Sequence, residues 1–563
     1  MRRILIAITL LSISAMSGLA EDIEYLNLMG NSITPEEAEE MLHQEVVYDD
    51  MGYIIEKRFI DEDGELTIPI GRSFAKATYV NDDDGNVVEV AYFNENNVPM
   101  IPYDNYYARV TYKYDDQGYC VEEAYFGTDG KPMIALTLGY AKVARKYDDI
   151  GNIIEERYFN TDGKPFTPAN IGYAMVRRKY NSLGYNIEES YYNEKGKPTE
   201  PLNIGCAKIE WEYDKNNYCT KEKYYDKRGK PKVLPFYGYA EVRWKYNDKG
   251  YTTEEAYYDH KGNLTPYPGS GFAIAEMEYN DNGYMTSKRF YDTDGKLVFV
   301  HTFGYAGITW KYDKRGNCVE EKYYGSDGKP IINPYMGYCS ARWKYDEEGH
   351  IIEEAYYDCE NNLMGPPWYE YPMVRYKYDD SGNKVEEAYY GAGEKPIILP
   401  SYGYHKVTYK YDDKGRTSEY AYFGVDGKPM VLDDYGYHRI NYKYNDEGYT
   451  EEEAYFGVDG EPIILKEGYH KINYTYNDDG CTTEEAYFGT EGEPVLCELG
   501  YHKVTYKYDE GGYTTIEEAY FGVDGEPVNL HDYGYHKIIS EYDDSGAYMG
   551  DVYYDAEGNR IEY

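Results

Sequence analysis

Three recurring columns of residues carry the side chains that could do chemistry in this chain. The first is acidic. Glutamates recur in adjacent pairs at Glu122-Glu123, Glu254-Glu255, Glu386-Glu387 and Glu484-Glu485. Two carboxylates can share the acid and base roles of a hydrolase only when both face one substrate. Neighbours along a strand point to opposite faces, so a pair at adjacent positions in a strand is not such a dyad. The same pair in many copies also argues against a single active site. Lys406 and Lys410, on a strand facing such pairs, are placed to offset part of the charge. Asn81-Asp82-Asp83-Asp84-Gly85 and Asp61-Glu62-Asp63-Gly64 superficially echo a calcium loop. Their spacing fails the EF-hand pattern, which leaves calcium only as a cation drawn by bulk charge.

The second column is histidine: His405, His438, His470, His502 and His536 share one phase in the last five units. No second histidine or cysteine stands at ligand spacing within a unit, so no metal site is expected. Ala141, Ala174, Ala207 and Ala240 fill the same slot upstream, which reads as a surface position. The third column is aromatic and includes Trp211, Trp244, Trp310, Trp343, Tyr376 and Tyr409. These six are the ligand-binding candidates: a regular row of rings could stack on sugars with avidity. The same row also reads as an aromatic ladder packed within the sheet, which is the favoured reading, and the column is kept as the best binding candidate. No nucleophile with its base, phosphate loop or metal-protease helix is present, so the chain reads as a non-enzyme with no catalytic or metal residues and no required cofactor.

What must position these columns is a repeat. The glycine of Tyr-Asp-x-x-Gly falls at Gly52, Gly85, Gly118, Gly151 and Gly184, then Asn217, then Gly250 onward to Gly448 in steps of 33 residues. Gly480, Gly512 and Gly546 follow at 32, 32 and 34, which makes sixteen anchors. Asn is the other residue that tolerates the left-handed region, so the anchor reads as a type I turn closed by a G1-bulge residue. Before it, Ile440, Tyr442 and Tyr444 alternate with Arg439, Asn441 and Lys443, the period of a half-buried strand. After it, Tyr449 to Phe456 reads as the return strand, Val458 to Pro462 as a second turn, and Ile463-Ile464-Leu465 as a short third strand. The fold expected is all-β: a tandem array of sixteen ~33-residue hairpin units, stacked as an elongated solenoid or spiralling sheet. Residues 48–563 form the array, and 21–47 form a capping segment. There Thr34, Pro35 and Glu37 predict a helix from Thr34 to Glu45.

Tyr-Lys-Tyr-Asp-x-x-Gly, at Tyr112 to Gly118 and Tyr409 to Gly415, resembles the YD repeat of Rhs proteins and teneurins. That resemblance implies hairpins assembled into long spiralling sheets, in some members a closed shell. The other half of the unit, Tyr-Phe-Gly-x-Asp-Gly-Lys-Pro at Tyr422 to Pro429, departs from the YD pattern. It is similar instead to the aromatic-glycine hairpins of cell-wall-binding repeats.

Address and charge limit the partners. Arg2-Arg3, an apolar run from Ile4 to Leu11 and the small-x-small Gly18-Leu19-Ala20 read as a cleavable secretory signal over residues 1–20. No stretch is long enough to span a bilayer as a helix. The protein is therefore expected outside the cell or on its surface, or in a periplasm. Acidic residues outnumber basic ones 102 to 58, a formal charge of −44, which disfavours nucleic acid. With 77 tyrosines, the chain is too aromatic for disorder. The expected role is binding or adhesion to a glycan, a cell-wall polymer or a surface protein. The alternatives are a purely structural shell or a calcium-stabilised array. Cys120, Cys219 and Cys318 lie three repeats apart, too far to bond, so at most one or two disulfides are expected among eight cysteines.

Overall fold

The computed structural model describes residues 22–509, 514–542 and 548–561. The expected signal, residues 1–20, lies outside them, as do the last two anchors, Gly512 and Gly546. The described chain is all-β, with 34 strands, and the paired neighbours run antiparallel. It divides into two compact units, one ending at Gly269 and one beginning at Ser270. Each is a run of tandem hairpins.

One hairpin stands for the rest. Its outgoing strand, Arg439–Tyr444, pairs with the return strand Thr450–Phe456, and a bulge interrupts the register between Lys443 and Tyr444. The turn chemistry is clearest at Asp412. Its carbonyl accepts the Gly415 N–H at 3.1 Å, and its carboxylate accepts the N–H groups of Lys414 and Arg416 at 3.0 and 2.8 Å. Gly415 sits at φ 79°, and Asn217 takes the same place at φ 66°. The anchor is therefore a left-handed position, as its residue types require.

Between hairpins the backbone ladder is short. Return strand Thr450–Phe456 meets outgoing strand Lys471–Tyr476 through only Glu452↔Asn473, Glu453↔Ile472 and Ala454↔Lys471. Side chains make up the difference. The phenol of the Tyr-Asp tyrosine donates to a carbonyl of the preceding hairpin: Tyr444 to Thr417 at 2.7 Å, Tyr476 to Thr450 at 2.6 Å, Tyr147 to Cys120 at 2.7 Å. A hydroxyl is needed there, which explains why tyrosine rather than phenylalanine recurs before the aspartate.

The core is a zigzag of rings. Alternate members come from the return strand and from the loop that follows it, as in Tyr437, Tyr455, Tyr469 and Tyr487, with centroids 5.1, 6.1 and 4.8 Å apart. In the second unit the zigzag runs unbroken from Tyr371 to Tyr553. In the first it runs from Phe59 to Tyr191, where the next loop position is the buried Cys206. Aliphatic residues such as Ile440, Leu465 and Ile472 fill the space beside it.

Two expectations need correction. The third strand is reduced to a single bridge, as at Phe456↔Pro462 and Phe423↔Pro429, except after the last hairpin, where Arg560–Ile561 pairs with Tyr553 and Tyr554. Proline has no N–H to extend a ladder, and the chain then leaves the sheet, with Leu465 N–H bonding Tyr469 O at 2.8 Å around a tight turn. The helix predicted over 34–45 is one turn, Pro35–Ala38. Its capping box is real: Thr34 and Glu37 exchange side-chain-to-backbone bonds of 2.8 and 3.2 Å. The residues after it form the strand His43–Tyr48, because Val46 and Val47 bury better in a sheet than on a short helix. Asp22–Leu26 already pairs with that strand, so hairpin pairing begins upstream of the first anchor.

Candidate functional site

The glutamate pairs divide between the two faces of the sheet. Glu386 lies between Lys377 and Lys406 at 2.8 and 3.1 Å. Burial pushes its carboxyl upward, but hydrogen bonds and charge from the two lysines outweigh that and hold it below its ordinary value. Glu387, on the other face, accepts the phenols of Tyr389 and, at 3.1 Å, Tyr409. Glu453 is its counterpart opposite Tyr442, and burial among rings raises its carboxyl above the ordinary value. The first glutamate of a pair thus belongs to an ionic face, and the second caps the ring zigzag. No pair presents two carboxylates to one point.

Four of the five histidines are buried and His502 is half-buried, contrary to the surface position expected. His405 is 6% exposed, and His438, His470 and His536 are comparable. The Nδ1 atoms of His438, His470 and His502 lie 2.7 Å from the carbonyls of Tyr422, Tyr455 and Tyr487. Each ring also stands edge-on to an aromatic of the preceding return strand, as His470 does to Phe456 at 5.2 Å. Alanine fits the slot by leaving it small; histidine fits by bonding the backbone and packing on that ring. Single-residue spacing cannot distinguish these two solutions.

The six aromatic candidates occupy the fourth position of their outgoing strands, and all six are half-buried. Trp211, Trp244, Trp310, Trp343 and Tyr376 face Glu222, Glu255, Glu321, Glu354 and Glu387 across their hairpins, while Tyr409 faces Tyr420. Trp310 Nε1 donates to Glu321 at 3.3 Å. Trp310 and Trp343 pack against Ile308, Tyr323, Ala341 and Tyr356, and Tyr376 packs against Val374, Tyr389 and Leu399. They line the ring zigzag from the side.

The rings that face solvent lie elsewhere, at the tips of the loops between hairpins. In Leu399-Pro400-Ser401-Tyr402-Gly403-Tyr404, Leu399 is buried and its carbonyl accepts the Gly403 N–H at 2.8 Å. Gly403, at φ 76°, turns the chain so that Tyr404 enters the zigzag while Tyr402 stays 59% exposed. The next unit repeats this with Leu432, Tyr435 at 60% exposure, Gly436 and Tyr437. Tyr369 holds the corresponding tip one unit upstream, with exposed Trp368 beside it; one unit further back the slot holds the exposed Met336, preceded by the exposed Tyr335. Three tip rings are backed by zigzag rings: Tyr369 stacks on Tyr371 at 5.4 Å, Tyr402 contacts Tyr404 at 5.9 Å, and Tyr435 contacts Tyr437 at 6.0 Å. Ser401 donates to Glu370 of the preceding tip through its N–H at 2.9 Å, which joins neighbouring tips. The two following units have shorter loops, with Glu467 and Leu499 in the slot before the glycine, and the aromatic tip returns at Tyr533. The recurrence of Tyr-Gly-Tyr at 402–404, 435–437 and 533–535 was the available signal for this row.

Among the described residues, no group of three or more His, Cys, Asp or Glu is arranged to hold a metal. The carboxylates of Asp61 and Asp82 are engaged by backbone N–H groups of their own turns. No helix among the described residues is long and apolar enough to cross a membrane.

No protein-family model matches the chain, and no curated protein matches it. Among solved structures it is similar to a crystal structure of TcdB2-TccC3, with 12% identity over 92% of this chain and 28% of that one, at a TM-score of 0.27. It is similar also to TcdB2-TccC3-TEV, with 12% identity over 92% and 27% at 0.25. A structure of the Photorhabdus luminescens Tc holotoxin pore gives 12% identity over 92% and 27% at 0.23. The chain spans less than a third of each of those proteins. The array of antiparallel hairpins, with Tyr-Asp-x-x-Gly at the turns, is the architecture that the YD-repeat resemblance implied.

Proposed function

We propose that this hairpin-repeat scaffold is an extracellular, non-catalytic binding protein, and that it holds an extended glycan or cell-wall polymer along its loop-tip rings. The observation that supports this reading is the row Tyr369, Tyr402 and Tyr435, exposed in the same slot of three successive units and spaced 33 residues apart. Two strands per unit set successive tips about 10 Å apart. That is close to the two-sugar repeat of an extended β-1,4-linked chain, so one polymer could lie across several rings. Aromatic faces stack on the C–H-rich faces of sugars, and backing rings hold them in place without further loss of side-chain freedom. Individually weak contacts then add through avidity. The rim is polar, with Asp433, Asp434 and Ser401 beside the rings to meet sugar hydroxyls.

The test is co-sedimentation of the purified protein with insoluble cellulose, chitin and cell-wall sacculi. Wild type is expected to pellet with at least one polymer. Tyr402→Ala with Tyr435→Ala is expected to weaken retention at least tenfold at an unchanged melting temperature. Trp211→Ala with Trp244→Ala is expected to lower the melting temperature while retention at low temperature persists. Failure of wild type to bind any of the three, or full retention by the tip variant, overturns the reading in favour of a purely structural scaffold.

A further inference from the structure

The first hairpin departs from a pairing that many later ones repeat. In those, a lysine or arginine at the head of the outgoing strand lies over the ring that ends its return strand. Lys76 lies over Phe93 at 4.9 Å, Lys142 over Phe159 at 4.6 Å and Lys406 over Phe423 at 4.6 Å. The same ammonium pairs with a glutamate of the preceding return strand, Lys142 with Glu122 at 3.0 Å and Lys406 with Glu386 at 3.1 Å. Such a hairpin holds a cation between a ring and a carboxylate. In the first hairpin the cation's slot holds His43 and the ring's slot holds Ile60, and the two face each other in register.

At this place lies a cleft of about 760 Å³, lined by the helical turn Pro35–Ala38 and by the turn that follows Ile60. His43 lines it and is only 4% exposed. Its Nδ1–H donates to Met41 O at 2.8 Å, because a carbonyl can only accept. Nε2 of the neutral ring is then an acceptor, and it has no hydrogen-bond partner. Glu45 Oε1, a second acceptor, lies 3.6 Å from it, while Glu45 Oε2 accepts from Arg58 Nε. Two acceptors therefore face one another with no donor between them, which is costly for a buried group. The Tyr25 ring, 5.9 Å from the His43 ring, joins Ile60 and Leu66 as an apolar wall. Acids dominate the rim, and the two cations of the cleft, Arg58 and Lys76, are already paired with Glu45 and Glu56.

We infer that this cleft binds a primary alkylammonium ion, whose N–H groups donate to His43 Nε2 and Glu45 Oε1 while its hydrocarbon arm lies against Tyr25, Ile60 and Leu66. The bound ammonium takes the role that the strand's own lysine fills in later hairpins. A quaternary ammonium has no N–H for either acceptor, and an anion meets the acidic rim, so both are refused. A free diamine and a lysine side chain present the same group.

The experiment titrates the full purified chain with 1,5-diaminopentane at about pH 8, where imidazoles are neutral. Calorimetry is expected to show one saturable site per chain that persists in about 0.3 M salt, unlike ions gathered by bulk charge. Imidazole nitrogen NMR is expected to show one Nε2 shifting on binding. Tetramethylammonium chloride is expected to leave both signals unchanged. Nα-acetyl-lysinamide distinguishes the sources: binding as tight as the diamine's assigns the site to lysine side chains, and weaker binding assigns it to free amines. His43→Lys restores the residue type of the later hairpins, and is expected to fold with an unchanged or higher melting temperature and to bind the diamine at least about tenfold more weakly. Glu45→Gln removes the charge at nearly constant shape and is expected to weaken binding similarly. Wild type with no saturable site, equal binding of tetramethylammonium, or unchanged binding by either folded variant overturns the assignment.

Discussion

The two faces of each hairpin use the same strands in different ways. On one face Ile440, Tyr442, Tyr444 and Tyr455 build a ring-rich surface continuous with the zigzag. On the other, Arg439 lies over the Phe456 ring at 4.3 Å, and Glu452 is held between Lys443 and Lys471 at 2.8 and 3.0 Å. The ionic face has more named partners, yet Lys443 is 69% exposed, and exposed pairs contribute little. The ring face has few polar contacts but removes large apolar areas from water at every step. Stability should therefore reside on the ring face. The ionic face lowers the repulsion of a chain with formal charge −44 and helps align neighbouring strands.

The sharpest way to break this comparison is Tyr455→Ala, which removes the ring between Tyr437 and Tyr469. It should cost about 3–5 kcal/mol, read as lost hydrogen-exchange protection in the adjoining hairpins. A cost below about 1 kcal/mol would show that the zigzag is not the core. Acid should separate the two ends of the chain next. Burial lowers the imidazoles of His405, His470 and His536 below 6.5, so the unfolded chain takes up protons first as pH falls. Their stability is full above the unfolded value and is lost as pH drops through it. Hydrogen exchange between pH 7.5 and 5 should quicken in the hairpins around His470 more than in those around Ala141 and Ala174. Equal quickening at both sites would refute the assignment.

Smaller effects sharpen the same contrast. Tyr444→Phe keeps the ring and removes the bond to Thr417 O, for an expected loss of about 1 kcal/mol by chemical denaturation. Lys443→Ala on the ionic face should change stability by only about 0–0.5 kcal/mol, with a dependence on salt. If the order of these last two is reversed, the ranking of the faces is wrong.

Much of the fold was readable because its determinants are local. A left-handed residue three positions after an aspartate specifies the first turn, and Asn217 in place of glycine identified that requirement from sequence alone. Alternation over six residues identified the outgoing strand. What could not be read depends on contacts far apart along the chain. Tyr435 and Tyr437 are the same residue type two positions apart, and the direction in which Leu432 and Gly436 turn the loop decides that one is exposed and the other half-buried in the zigzag. His438 looked like a surface residue because Phe423, which it packs against, belongs to the preceding hairpin. The helix signal at Thr34 was sound for one turn, and strand pairing by Val46 and Val47 ended it. Among the aromatic candidates, spacing placed all six at one strand position but gave no measure of how far the zigzag covers them.

The zigzag also has an optical consequence. Phenol rings 4.8 to 6.1 Å apart exchange excitation far faster than they emit, so light absorbed at one tyrosine migrates along the row. In the second unit, Trp310 and Trp343 pack against Tyr323 and Tyr356, and an indole is the lower-energy trap. The folded molecule is thus an antenna: it should emit as tryptophan when tyrosine is excited, and with strongly depolarised light. Loss of the row on unfolding should restore tyrosine emission, giving each stretch of hairpins a built-in reporter of its own integrity.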